Sequence, residues 1–273
     1  MIGFLGPFGS FSNEVAETIK GVSGTLVPLS SFEMGKALRE GRIERAVLPI
    51  ENSVEGRVKW VIDLLAENNI GPFVVVGEVV WDVKHCLIGF GTMAEIKVVY
   101  SHPQALGQCR AFLRKLEGVE TRDTDSTSTA VKLIAEGRES SLAAIGTMKA
   151  SETYRVPIIQ EDIGDHQNNQ TRFIVLGKEG EKPTGNDKTS LIFGTEDKPG
   201  VLHEALEVFK VFGINMTMIL SEPSPLKRKF GEYIFFVDVE GHQEDRSLGL
   251  ALELITKRVS SLKILGSFPK AKH

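Results

Sequence analysis

Two cysteines in 273 residues, Cys86 and Cys109, are too few and too far apart for a disulfide framework. Without a CxxC pair they give no metal pattern either, and a reducing cytoplasm is the expected location. No apolar run approaches the ~20 residues that cross a bilayer, so no membrane partner is expected. A basic leader is missing too, and the N-terminus reads at once as structure, Ile2-Gly3-Phe4-Leu5. Positive charge is not in surplus: 32 Lys and Arg face 36 Asp and Glu, a net charge of −4. That excludes a whole-chain attraction to nucleic acid or to an anionic membrane, and an anionic substrate would have to be held by local residues. Two phosphate signatures are absent as well. Gly6-Pro7-Phe8-Gly9-Ser10 lacks both the Gly-Lys-Ser/Thr ending of a P-loop and the three-glycine spacing of a dinucleotide fingerprint. What is present is ordinary for a soluble globular protein of one large or two smaller domains, with 41% hydrophobic and 25% charged residues.

In chain order, Ile2–Leu5 reads as a buried strand and Gly6–Ser10 as a turn, with Ser12 expected to cap the following helix. Ser30-Ser31-Phe32-Glu33 is a capping box, and Gly41 closes its helix. The strand Ala46–Ile50 runs into Glu51-Asn52-Ser53-Val54-Glu55-Gly56, and Val58, Val61, Ile62, Leu64 and Leu65 then recur at helical spacing. Glu51, Asn52 and Ser53 thus stand between a strand's carboxyl end and a helix, where open α/β sheets place ligands. Residues 73–80, 83–90 and 96–100 read as strands. Ser101-His102-Pro103-Gln104 starts a helix with Pro at a tolerated position, and Gln104 and Gln108 share one of its faces. Thr124–Thr129 is a hydroxyl cluster at another helix start, offering a cap and several donors. Asn168-Asn169-Gln170-Thr171-Arg172-Phe173 joins an amide-rich loop to an apolar strand, so Thr171 stands where loop becomes strand.

These repeated strand–helix units predict two α/β lobes, the first from residues 1–77 and 157–178 and the second from 78–156. The loops 6–10, 51–55, 101–104, 124–129 and 166–172 are expected to face a cleft. Lys178 to Asp187 reads as a linker. Residues 188–273 follow as strand, helix, strand, strand, helix, strand, the ferredoxin-like order.

Taken together, Gly6–Ser12, Pro49–Gly56, Ser101–Leu106, Asp125-Ser126-Thr127 and Asn169–Phe173 resemble, in order, the motifs of the monofunctional prephenate dehydratase family. Asp197–Leu202 and Ile214–Thr217 are similar to motifs of the ACT regulatory domain that follows in that family. The resemblance implies a two-lobed, periplasmic-binding-protein-like α/β catalytic domain over 1–178 and a ferredoxin-like ACT domain over 188–273. It implies conversion of prephenate to phenylpyruvate with loss of carbon dioxide and water, on the route to L-phenylalanine, with no cofactor and no metal. Thr171 is then the proton donor. Asn52, Ser126 and Thr127 hydrogen-bond the leaving group or carboxylates, and Glu51 orients Asn52. Ser53, His102, Gln104, Arg172 and Phe173 contact substrate, although Arg172 and Thr171, adjacent on a strand, should face opposite ways. Gly200, Val201, Leu202, Asn215 and Ser221 form the phenylalanine site of a homodimer or homotetramer. One departure stands out: the family's Glu-Ser-Arg-Pro is here Leu220-Ser221-Glu222-Pro223. Two other readings fit the same residues, an arogenate dehydratase and a non-catalytic amino-acid sensor.

Overall fold

The computed structural model describes residues 1–19, 24–67, 70–224 and 232–271. The chain resolves into two compact units that interleave along the sequence. The first holds Met1–Met34, Asn52–Gly56 and Trp81–Thr171; the second holds Gly35–Glu51, Arg57–Val80 and the chain from Arg172 on.

In the first unit the main sheet runs Ile158–Gln160, Cys86–Gly89, Leu142–Gly146, Val98–Ser101, Glu120–Asp123. Cys86–Gly89 is antiparallel to Leu142–Gly146, whereas Val98–Ser101 lies parallel to both its neighbours. Alternation sorts the side chains onto two faces. Leu87, Val99, Ala143 and Ile145 pack with Ala105, Leu106 and Cys109 on one face. Cys86, Ile88 and Ala144 pack with Ala130, Val131 and Ile134 on the other. Each face is thus closed by a helix stripe, Pro103–Gln108 for the first and Thr127–Gly137 for the second. The strand Ile2–Leu5 pairs in parallel with Leu26–Leu29. The turn between Ile2–Leu5 and the helix Phe11–Thr18 needs glycine at Gly9, where φ is +81° and an added Cβ would lie 2.8 Å from the Ala150 Cα. That helix is capped by Ser10, not Ser12: the Ser10 hydroxyl accepts from Asn13 N, and Ser12 is buried. The expected register was off by two residues because both serines satisfy the N-cap preference, and only Ser10 stays outside the first helical turn.

The strands Arg45–Asn52, Gln170–Gly177 and Val74–Asp82, which lie mostly in the second unit, run side by side in that order. A separate antiparallel sheet runs Met216–Pro223, Tyr233–Glu240, Asp187–Gly194, Ser261–Pro269. The helices Val201–Val211 and Arg246–Ile255 cover one face of it, where Ala205, Val208, Phe209, Leu248, Ala251 and Leu252 meet Leu191, Phe193, Val237 and Val239. This is the expected strand–helix order, although residue 231, the first of the strand predicted over 231–239, lies outside the described residues. The Ser30–Glu33 capping box forms in both directions, Glu33 N to Ser30 Oγ at 3.2 Å and Ser30 N to Glu33 Oε2 at 3.0 Å. No helix among the described residues is long and apolar enough to cross a membrane.

Candidate active site

Thr171 sits half-buried at the start of the strand Gln170–Gly177, and Asn52 ends the strand Arg45–Asn52. The Asn52 Nδ2 donates to Thr171 Oγ1 at 2.9 Å, to Asn169 Oδ1 at 2.8 Å and to the Gln170 carbonyl at 3.1 Å. Its amide direction is not free. Asn52 Oδ1 accepts from the backbone N–H groups of Val54 and Glu55 at 3.0 and 2.9 Å. Backbone N–H groups only donate, so the carbonyl end must face them and the NH₂ end must face Thr171. The consequence is chemical: Thr171 Oγ accepts from Asn52 and keeps its own proton to donate elsewhere. Ser53 braces the same loop, with its hydroxyl accepting from Gln170 N at 2.9 Å and its backbone N–H donating to the Gln170 carbonyl.

The sequence reading missed what stands behind this pair. Asn169 Nδ2 donates to Gln108 Oε1 at 3.0 Å, and Gln108 Nε2 donates to Glu55 Oε1 at 3.0 Å. Asn52, Gln108 and Asn169 are 8%, 5% and 4% exposed, so these are buried amides with their polar atoms satisfied by one another. Gln104, one helical turn before Gln108, is exposed instead. A signal for Gln108 was available: it falls inside the apolar stripe of Ala105, Leu106 and Cys109, where an amide is costly unless it is bonded.

The other predicted residues make different contacts. His102 caps its own helix, Nδ1 accepting from Gln104 N at 3.3 Å. Ser126 caps the helix Thr127–Gly137, its hydroxyl accepting from Thr129 N at 3.0 Å and bonding Thr129 Oγ1 at 2.7 Å. Thr127 is the first residue of that helix and is half-buried, as is Glu51. Two expectations of substrate contact are corrected. Phe173 is 1% exposed and belongs to the core. Arg172 points the opposite way from Thr171, as alternation requires. Its Nε donates to Glu78 Oε2 at 2.7 Å and its Nη1 pairs with Asp238, which also accepts from Ser190 Oγ. Lys188 Nζ and the Ala271 N–H complete the shell of Glu78 at 2.9 and 3.0 Å. Burial pushes the Glu78 carboxyl up, but Arg172, the Ala271 N–H and Lys188 outweigh it and hold the group below the usual carboxylate range.

In the second unit, Gly200 sits at φ +86° as the N-cap of the helix that Val201 and Leu202 open. Asn215 precedes the edge strand Met216–Pro223, which carries Ser221. On the same strand Glu222 is buried and paired with Arg57, with Lys59 Nζ at 3.8 Å. The described residues contain no cluster of His, Cys, Asp and Glu able to hold a metal ion.

A prephenate dehydratase family model matches residues 2–181, and an ACT domain model matches residues 189–253. A prephenate dehydratase of Methanocaldococcus jannaschii is 40% identical over 226 residues, 82% of this chain and 80% of its own. Among solved structures, the prephenate dehydratase of Arthrobacter aurescens in complex with L-Phe superposes with a TM-score of 0.88 at 28% identity, over 98% of this chain and 89% of its own. A protein described as GqqA, a novel type of quorum quenching acylase, matches with a TM-score of 0.88 at 30% identity, over 98% of this chain and 97% of its own.

Proposed function

This chain belongs to the prephenate dehydratase family and is a carbon–oxygen lyase with an ACT domain, and from that premise we propose that it converts prephenate to phenylpyruvate, with Thr171 as the proton donor. The observation that carries the reading is the 2.9 Å bond from the locked Asn52 amide to Thr171 Oγ1. The ring carboxylate leaves as carbon dioxide, its electrons aromatise the ring, and the ring hydroxyl departs. Expelling hydroxide is the hard part, since water's pKa is ~15.7. Thr171 donates its proton to the departing oxygen, the Asn52 N–H steadies the charge that develops on Oγ, and solvent returns one proton, so that the dianion and one proton become a monoanion, carbon dioxide and water. General acid catalysis of this kind contributes about 10²–10⁴-fold. Ser126 and Thr127 receive a substrate carboxylate at the start of their helix, and Gln104 serves as its further polar lining.

The proposal keeps the domain boundaries read from the sequence, catalytic over 1–178 and regulatory over 188–273. It also includes L-phenylalanine as an effector at Gly200–Leu202, Asn215 and Ser221, assembly as a homodimer or homotetramer, and a cytoplasmic location. An acylase reading finds less support. Acyl transfer needs an activated nucleophile, and the partner of Thr171 Oγ among the described residues is an amide donor rather than a base. The test is turnover of prephenate by the purified chain, with and without phenylalanine, beside the amino analogue arogenate. Phenylpyruvate formation by the wild type and its collapse in Thr171→Ala are expected; equal turnover in both would remove Thr171 from the chemistry.

A further inference from the structure

We infer that His85 is a positioning residue for the elimination: its ring N–H sets the direction of the Gln108 amide, and through Asn169 and Asn52 the orientation of the Thr171 hydroxyl. The inference rests on the reading of Thr171 as the proton donor.

His85 stands in the short segment between the strands Val74–Asp82 and Cys86–Gly89 and is 3% exposed. Its Nε2 lies 2.8 Å from Gln108 Oε1. The Gln108 amide must present that oxygen, because its nitrogen donates to Glu55 Oε1. A carboxylate oxygen and an amide oxygen are both acceptors, so His85 carries its proton on Nε2. Gln108 Oε1 therefore accepts twice, from His85 and from Asn169 Nδ2 at 3.0 Å. Asn169 then has its oxygen turned to Asn52 Nδ2 at 2.8 Å, and Asn52 reaches Thr171. Each amide in this chain has one orientation that satisfies its neighbours, and the two ends agree. Val54 and Glu55 N–H orient Asn52 from one side; His85 and the Glu55 carboxylate orient Gln108 from the other.

Packing alone does not call for a histidine here. The ring meets Phe11 edge-on with centroids 5.7 Å apart, a contact that an apolar side chain could also make. Nδ1 is buried without a hydrogen-bond partner among the described residues. A Leu or Phe would avoid that cost, which burial of an unpaired nitrogen carries. The feature that an apolar side chain cannot supply at this point is the N–H aimed at Gln108. Ile163 N donates to the His85 carbonyl at 2.9 Å and fixes the segment that holds the ring.

The test compares His85→Leu, His85→Gln and His85→Asn with the wild type in the prephenate assay, with thermal midpoints measured alongside. Gln places an N–H near the Nε2 position and Asn places one near Nδ1. A hydroxyl misplaced by ~1 Å costs up to about 10²-fold, so kcat is expected to fall by at least about 10-fold in His85→Leu while KM holds. His85→Gln should recover most of kcat and His85→Asn should not, at similar thermal midpoints. Should His85→Leu not fold, the Gln and Asn pair decides: higher kcat in Gln supports the inference, and equal kcat overturns it. Wild-type kcat in a folded His85→Leu also overturns it while leaving Thr171 in place. A wild type that does not turn over prephenate overturns both readings at once.

Discussion

Thr171 and Arg172 are chain neighbours that end in opposite kinds of environment. Behind Thr171 lies a chain of buried amides and a buried imidazole, the hydrogen bonds between them matched by direction. Around Arg172 lies a buried set of full charges, Glu78, Asp238 and Lys188, matched by sign. The difference teaches what each is for. Amides do not titrate, so they can hold a hydroxyl in one orientation without drawing off its proton. Charges in a low-dielectric interior hold one another tightly, but each becomes a liability once its partner is gone. A guanidinium beside Thr171 would attract substrate carboxylates, yet alternation along the strand turns it into the ion cluster instead.

The comparison can be broken most forcefully at Thr171. Thr171→Ala is expected to lower kcat by about 10²–10⁴-fold with little change in KM or in thermal midpoint, and Thr171→Ser to keep part of the rate, both read by steady-state kinetics. Next comes Arg172→Met, which strands Glu78 and Asp238. Urea unfolding should show a loss of about 3–5 kcal/mol, the range for removing one partner of a buried ion pair. If stability barely moved, the cluster would not be the anchor its burial indicates. A third effect separates the two regions by acid. Glu78 is held below its usual range, so its contribution is present above the ordinary glutamate pKa and is lost as pH falls through the lower folded value. The slope of stability against pH in that acidic window should flatten in Glu78→Gln, where the Thr171 variants leave it unchanged. The smallest effect is at Ser126. Removing its cap hydroxyl in Ser126→Ala should cost about 1 kcal/mol by denaturant titration, and if it also touches a substrate carboxylate, KM will rise more than kcat falls.

Much of the scaffold was readable from periodicity. Apolar runs marked most of the strands, though not the polar Glu120–Asp123, and the order of elements over 188–269 emerged as expected. Likeness of motif named both Asn52 and Thr171, but their direct bond was not legible, because the two are separated by 119 residues and meet only through the fold. Gln104 was singled out and Gln108 was not. Both lie on one helix face, and only burial distinguishes the exposed amide from the one wired to Asn169. The same holds for Asn168 and Asn169, consecutive amides of which one enters the network. His85 gave no cue beyond lying in the run read as a strand over 83–90, which begins only at Cys86. Polar residues inside apolar stripes carry the signal for such positions, since a buried amide or imidazole must find partners. Glu222 shows the converse. Its substitution into a family motif was legible, whereas its pairing with Arg57 depends on which strands the chain brings together.

The opposed facing of Thr171 and Arg172 also constrains how this strand can change over generations. A one-residue insertion between Thr171 and Arg172 would put the two side chains on one face, turning the alcohol into the charge cluster, since each step along a strand inverts its facing. Length variation here is therefore tolerable only in pairs, a parity rule written into a single stretch of backbone.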